Sequence, residues 1–271
     1  MDTLRVVTLN LWGEQAPLDD RLAQIIAGCG ALSPDVLALQ EVRAVPGSVP
    51  NTAATLAAAL GFQHVYASAT PWGGGDEGVA LCSRLPIVAH RHLELPHAAP
   101  TERRVVLAAT LDTPRGPLTV LTTHLNYRLA DGAIREDQVA AVDEFARGFA
   151  GELPRVLCGD FNAVPASDEI RFLRGLHSHG GRRTYWQDAW ARIHPRDDGF
   201  TWAERNPYTA RLGWLEPDRR LDYIFVSPMF KDGRGTIRDC SVVFDQPTAD
   251  GVWPSDHFGL MADVQITARR V

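Results

Sequence analysis

The sequence predicts a layered α/β fold, and two observations carry that prediction. Short apolar runs rich in β-branched residues alternate with longer stretches whose apolar residues recur at helical spacing. Most of the strand-like runs also end in a polar residue that can carry chemistry, which would bring such residues to one edge of a sheet. The chain has 271 residues and is 45% hydrophobic, ample for a sizeable core. No linker, low-complexity tract or fixed-period repeat divides it, so one domain over residues 1–271 is expected.

The first strand is expected over Leu4 to Leu9, ending at Asn10. Leu22, Ile25 and Ile26 then mark one face of a helix from Leu18 to Ala31, stopped by Ser33-Pro34. Val36 to Leu39 is apolar throughout, as a strand buried on both faces would be, and delivers Gln40-Glu41. A carboxylate there is costly unless it is paired or holds a metal. Asn51 to Leu60 is helical in pattern and Phe62 to Ala67 strand-like. Gly73-Gly74-Gly75-Asp76-Glu77-Gly78 predicts a tight or mobile loop, with Glu77 just before the strand Val79 to Cys82.

Ile87 to Leu93 continues the sheet pattern, and Arg103-Arg104 precede the strand Val105 to Leu111. Thr113-Pro114-Arg115-Gly116-Pro117 turns the chain back through Leu118 to Thr123, a hairpin that ends in His124. Asp131 to Phe149 is the longest helical pattern and leads into Val156-Leu157-Cys158-Gly159-Asp160-Phe161-Asn162. A buried strand there sets a carboxylate and an amide side by side at its exit, although Asp and Asn are also common turn formers. From Gly180 to Arg220 the chain is rich in Arg, Gly and Trp, including Trp186, Trp190, Trp202 and Trp214, and predicts an irregular region or short helices. Leu221 to Val226, Ile237 to Phe244 and Phe258 to Ile266 are the last strands. Asp222 lies near the start of the first, and Ser255-Asp256-His257 introduces the last.

Composition narrows the functional classes. With 27 basic and 33 acidic residues the net charge is −6, so no overall positive field draws the chain to nucleic acid or anionic lipid. Lys231 is the sole lysine, which removes a P-loop lysine and makes Schiff-base chemistry improbable. Cys29, Cys82, Cys158 and Cys240 lack metal-ligand spacing and are expected as reduced, buried thiols. The N-terminal residues have neither a basic nor an apolar leader pattern, and no apolar stretch is long enough to span a bilayer. A cytoplasmic, unexported monomer is the expectation. His177-Ser178-His179 suggests a surface turn more than a metal pair unless further ligands join it.

Together the strand ends offer oxygen ligands for a hard divalent cation in Glu41 and Asp256, amides in Asn10 and Asn162, and histidines for proton transfer. Thr8-Leu9-Asn10, Leu39-Gln40-Glu41-Val42, Thr123-His124-Leu125, Gly159-Asp160-Phe161-Asn162, Leu221 to Val226 and Ser255-Asp256-His257, in this order, resemble the endonuclease/exonuclease/phosphatase superfamily. The resemblance implies a four-layer sandwich of two mixed β-sheets flanked by helices, with the site at one edge. It implies a Mg²⁺-dependent phosphoesterase, with Mn²⁺ as a possible substitute, cleaving a phosphodiester; a phosphomonoesterase is the alternative and an inactive binding scaffold a remote one. Glu41 would be the principal metal ligand, assisted by Asn10 and Asp256. Asp222 would pair with His257, and Glu77 with His124, each carboxylate raising its histidine's pKa. Asp160 and Asn162 would position water and phosphoryl oxygens, while His124 and one of Arg103 or Arg104 would contact the phosphate. Trp12 stands where one branch of the superfamily carries an Asp, so that second ligand is missing. Trp12, Trp72 and Trp253 neighbour these motifs and suggest an aromatic rim for a compact phosphate ester, whether nucleic acid, nucleotide, lipid head group or sugar phosphate.

Overall fold

Two six-stranded mixed sheets pack face to face between helices in a computed structural model that describes residues 1–45, 51–98, 102–149, 151–209 and 217–268. Trp214 lies outside the described residues.

The first sheet begins with β1 (Thr3–Asn10). Alternate side chains of this strand serve different layers: Leu4 and Val6 enter the core between the sheets, while Val7 and Leu9 face the helical side. Helix α1 (Leu18–Leu32) covers that side with Leu22, Ile25 and Cys29, spaced for one face. β2 (Val36–Ala44) pairs in parallel with β1, α2 (Thr52–Leu60) adds to the outer layer, and β3 (Gln63–Trp72) and β4 (Gly75–Ser83) form a hairpin.

That hairpin corrects two expectations. The strand predicted to end at Ala67 continues to Trp72, and Glu77 lies within β4 rather than in a mobile loop. Gly73 and Gly74, at φ +52° and +78°, supply the two positive φ values that a tight two-residue turn needs, so pairing runs up to Trp72 and Gly75.

The second sheet contains β5 (Ile87–Glu94), β6 (Val105–Thr113) and β7 (Gly116–His124), an antiparallel meander. Helix α3 (Gly132–Arg147), entered by a 3₁₀ turn at Leu129–Asp131, then returns the chain to β8 (Val156–Asp160), which runs parallel to β7. Val139, Val142 and Ala146 of α3 cover the outer face of this sheet with α4 (Asp168–Leu173). Among the described residues, the irregular region holds only β9 (Gln187–Asp188), α5 (Ala189–Ile193) and isolated bridges. β10 (Asp222–Val226) pairs with β8, and β11 (Ile237–Val243) and β12 (Gly259–Gln265) complete the first sheet beside β1.

The strand orders are β11-β12-β1-β2-β4-β3 and β5-β6-β7-β8-β10-β9, and their facing sides share one core that includes Val6, Ala38, Leu81, Val120, Val156 and Ile224. Gln40, fully buried, crosses between the sheets: its Nε2 donates to Thr8 Oγ1 (3.1 Å) and to Thr122 Oγ1 of β7 (3.0 Å). All four cysteines are buried and free, as expected. No helix among the described residues is long and apolar enough to cross a membrane.

Candidate active site

Register places the predicted residues side by side. In the second sheet His124 lies opposite Asp160 on the parallel neighbour, and Asp160 lies opposite Asp222 on the antiparallel one. In the first sheet Asn10 ends β1 opposite Gln40, with Glu41 next on β2. Between Leu39 and Val42 the β2 register shifts, and Glu41 takes φ +51°, a bulge that redirects its side chain. Trp12 (φ +57°) and Asn162 (φ +49°) are also left-handed without being glycine. Backbone strain of this kind persists where surrounding structure enforces it, and it often marks functional sites.

Asn10 joins the two sheets' contributions. Its Nδ2 donates to Glu41 Oε1 (3.0 Å) and to Asp160 Oδ2 (3.1 Å), and its Oδ1 accepts from the Trp12 backbone N–H (2.9 Å). Ser255 Oγ donates to the Asn10 carbonyl (2.6 Å), which ties the Ser255-Asp256-His257 segment to the end of β1. His257 Nδ1 meets Asp222 Oδ2 at 2.8 Å, and its Nε2 faces Asp160 Oδ2 at 3.8 Å. The Asn162 N–H donates to Asp160 Oδ1 (2.8 Å), while Asn162 Nδ2 donates to the Leu125 carbonyl (3.1 Å).

Electrostatics follow from burial. Burial disfavours the ionised Asp160 carboxyl, repulsion from Asp222 adds to this, and its pKa is raised to about 7. For His257, burial alone would lower the pKa, but Asp222 and Asp160 outweigh it and the imidazolium is strongly favoured. Glu77 is raised to about 7 by burial and by the charge of Glu41. Asp256 is raised to about 6 by burial, with Glu41 adding repulsion.

Two expectations for the first histidine are overturned. His124 Nδ1 pairs with Arg104 Nη1 at 3.0 Å and not with Glu77, which instead lies in the field of Glu41, Arg104 and Arg43. Burial and the Arg104 cation drive the His124 pKa well down, opposite to the rise expected from a carboxylate partner. Arg103 and Arg104 separate as neighbours in extended chain must. Arg104 is buried and lines the cleft, whereas Arg103 is exposed and gives its carbonyl to Thr70 Oγ1 (2.6 Å).

The cleft has a volume of about 760 Å³ and is lined by Glu41, Glu77, His124 and Asp256 together with Arg43, Trp72, Glu102, Tyr127 and Arg128. A larger hollow of about 990 Å³, lined in part by Asp2, Arg115, Asp232 and Arg238, contains none of the predicted site residues. Of the three tryptophans expected at a rim, Trp72 is 63% exposed in the cleft wall, Trp12 stacks on Tyr208 at 4.6 Å, and Trp253 is buried against Phe258.

The donor set fits a hard divalent cation. Glu41, Glu77 and Asp256 are carboxylates whose mutual repulsion a cation would relieve, and every nearby amide oxygen is of the same hard type. Asp160, Asp222 and His257 form a second group, with one ligand atom of each within 4.8 Å of the others. Its shortest contact is the His257–Asp222 hydrogen bond, and Asp222 Oδ1 is buried with no partner.

A family model for the endonuclease/exonuclease/phosphatase family matches residues 7–257. The chain belongs to this family. Members of the family such as nocturnin and TDP2 are metal-dependent hydrolases of phosphoric esters. Nocturnin of Drosophila melanogaster is 29% identical over 173 residues, covering 54% of this chain and 25% of its own length. Protein angel of the same fly is 29% identical over 155 residues, covering 53% and 43%. The chain thus spans less than half the length of these two relatives. Among solved structures, humanised Danio rerio TDP2 superposes with a TM-score of 0.76 at 18% identity, covering 97% of this chain and 99% of its own. The human nocturnin catalytic domain with bound sulfate gives 0.73 at 22%, covering 98% and 94%. Both have the four-layer fold seen here.

Several arginines and histidines outside the motifs are also fixed by the fold. Arg43 is buried and holds the hairpin through the Trp72 and Asp76 carbonyls (2.9 and 3.0 Å). Arg21, fully buried, donates to the carbonyls of Leu11, Gly13, Gln15 and Pro254 and so clamps the loop after β1 beneath Asp256. On a helix with Leu22 and Ile25, an arginine reads as a solvated neighbour, and only the fold turns it inward. His177 and His179 prove to have carboxylate partners: His179 lies 3.0 Å from Glu136 and 2.7 Å from Asp137, and His177 3.7 Å from Glu136, so these contacts hold the turn to α3.

Proposed function

We propose that the chain is a Mg²⁺-dependent phosphodiesterase in which Glu41, with Asp256, Asn10 and Glu77 around it, holds the metal, and Asp160 with the Asp222–His257 pair handles the proton. The observation that carries this reading is the Asn10 bridge, which fixes the metal-binding carboxylate and the buried Asp160 on either side of one amide. The cation, when bound, neutralises charge building on the phosphoryl oxygens. Asp160 takes a proton from the attacking water, since burial holds its carboxyl at about 7, near the pH at which a base works best. The Asn162 backbone N–H fixes one Asp160 oxygen, leaving the other to face His257 and the reacting centre. His257 stays protonated beside Asp222 and donates from Nε2 toward the phosphoryl group.

Chelator-treated protein should be inactive on bis-p-nitrophenyl phosphate and regain turnover with Mg²⁺ or Mn²⁺. Glu41→Gln should lose at least roughly 10²-fold, the scale of removing one directly acting group. Full activity of Glu41→Gln at saturating Mg²⁺ would overturn the assignment, and faster cleavage of p-nitrophenyl phosphate than of the diester would make the enzyme a monoesterase.

A further inference from the structure

We infer that Arg104 is a positioning residue that fixes His124 as a neutral imidazole with its proton on Nε2, a hydrogen-bond donor to the phosphoryl group and not an acid or base. A guanidinium carries only N–H donors. Its Nη1 lies 3.0 Å from His124 Nδ1, with both side chains buried, so this contact is a hydrogen bond only when Nδ1 presents its lone pair. The ring's single proton then sits on Nε2. Protonating Nδ1 as well would set two N–H groups and two cations against each other out of water.

Arg104 is itself held in place. Glu102 Oε1 is 3.4 Å from its Nη2, and Glu102 is anchored by the Tyr127 backbone N–H (3.3 Å) and by Arg128. The charges of Glu41, Glu77 and Asp160 also stabilise the guanidinium. A buried Glu102–Arg104–His124 chain therefore runs from the cleft wall to the ring.

On the far side of the ring, Nε2 is 3.5 Å from Asp160 Oδ2, longer than a good N–H···O bond, and that oxygen already accepts from Asn10. The Nε2–H is thus free for another acceptor, and His124 lines the same cleft as Glu41 and Asp256. A phosphoryl oxygen bound in this cleft, beside the Glu41 and Asp256 carboxylates that would hold the cation, would meet this donor. The proton stays on His124 throughout, leaving Asp160 as the group that takes one from the attacking water. The tautomer stands independently of the phosphoesterase reading, and only the use of the donor rests on it.

The tautomer is read directly by long-range ¹H–¹⁵N correlation of the histidine rings in metal-free protein at pH 7, with the His124 signals assigned from their loss in His124→Gln. The expected pattern is a protonated Nε2 and an unprotonated Nδ1. Arg104→Lys, which keeps a cationic donor, should retain that pattern, and Arg104→Met should lose it toward a tautomer mixture. An Nδ1–H tautomer or an imidazolium in the unmodified protein would overturn the proposal, as would an unchanged pattern in folded Arg104→Met. A second arm uses Mg²⁺-loaded enzyme and aryl methyl phosphodiesters of graded leaving-group pKa. His124→Ala should cost roughly 10²–10³-fold across the whole series, as loss of one fixed donor to developing charge does. A cost that disappears with the best leaving group would identify a general acid and overturn the donor role. Should no ester be cleaved, the phosphoesterase reading fails while the spectroscopic result still decides the tautomer.

Discussion

Gly159 lies on β8 beside Asp160 and opposite Thr123 of β7, and its backbone explains why no other residue serves there. At φ +147° a Cβ would stand 2.0 Å from the Thr123 carbonyl oxygen, so even a methyl group must push β7 and β8 apart. Gly159→Ala should lower stability by about 3 kcal/mol or more in denaturant unfolding, since it combines an incompatible φ with a backbone clash; a loss below about 1 kcal/mol would contradict the geometry. Glu41 presents the opposite case, a residue kept at a cost. It is left-handed and repels Glu77 and Asp256, adding to the rise that burial gives both pKa values. Glu41→Gln keeps an acceptor for Asn10 and removes that repulsion. Metal-free Glu41→Gln is expected to be more stable than the unmodified protein by roughly 1 kcal/mol, the usual scale for relieving a functional compromise, while its gain in Tm on adding Mg²⁺ disappears. An undiminished Mg²⁺-induced Tm gain would move the metal away from Glu41.

Strand ends were legible in the sequence because apolar runs punctuated by Asn, Glu, His or Asp mark where a sheet delivers a side chain, and Asn10, Glu41, His124, Asp160, Asp222 and His257 do meet at one edge. What periodicity cannot carry is which distant side chain arrives as partner. Glu77 and Arg104 lie in different elements at similar reach, and only the packing of β4 against β6 and β7 gives His124 to Arg104. The hairpin β3–β4 was hidden for a related reason: three glycines suggest mobility unless the strands on either side are known to pair. Gln40 shows the same limit, as an amide in an apolar strand whose value lies in reaching Thr122 across the core. Gln40→Leu would leave two buried hydroxyls short of a partner. It should cost about 2 kcal/mol or more by chemical denaturation, within the range for orphaned buried polar groups. Helix α1 and β4 add a pH dependence through Cys29 and Cys82, whose thiols burial pushes from 9.0 to about 12. A pKa raised on folding stabilises fully below the unfolded value and is lost as pH climbs through the folded one. Stability should therefore hold up to about pH 9 and fall between 9 and 12, with both thiols unreactive to Ellman's reagent in the native protein at pH 8. Rapid native labelling at that pH would show that α1 opens.

At the scale of the whole molecule, charge bears on the substrate. The net charge is −6, the difference between 27 basic and 33 acidic residues, so the cleft must attract a phosphate ester through local groups. Its cations are already engaged. Arg43 holds two carbonyls, Arg104 holds His124 and Glu102, and Arg128 pairs with Glu102. Among the described residues, no array of free arginines follows the cleft to track a long phosphate backbone. Its exposed lining includes two aromatic side chains, Trp72 at 63% and Tyr127 at 55%, beside Glu14, Gln15 and Arg128. One such side chain stacking on a planar group contributes about 1–3 kcal/mol with little dependence on salt. Proteins that grip duplex DNA through many contacts lose affinity with a slope of roughly −0.9 per neutralised phosphate in a log–log plot against salt. For this enzyme we expect kcat/KM on a compact or single-stranded phosphodiester to exceed that on duplex DNA, with a salt slope no steeper than about −2, equivalent to two phosphates. Trp72→Ala should lower kcat/KM on the preferred substrate by roughly tenfold while leaving bis-p-nitrophenyl phosphate cleavage within about a factor of two, the difference being the stacking contribution. Measurement at two salt concentrations separates the possibilities: duplex DNA as the best substrate with a steep slope would mean that a cationic track, and not the aromatic wall, selects the ester.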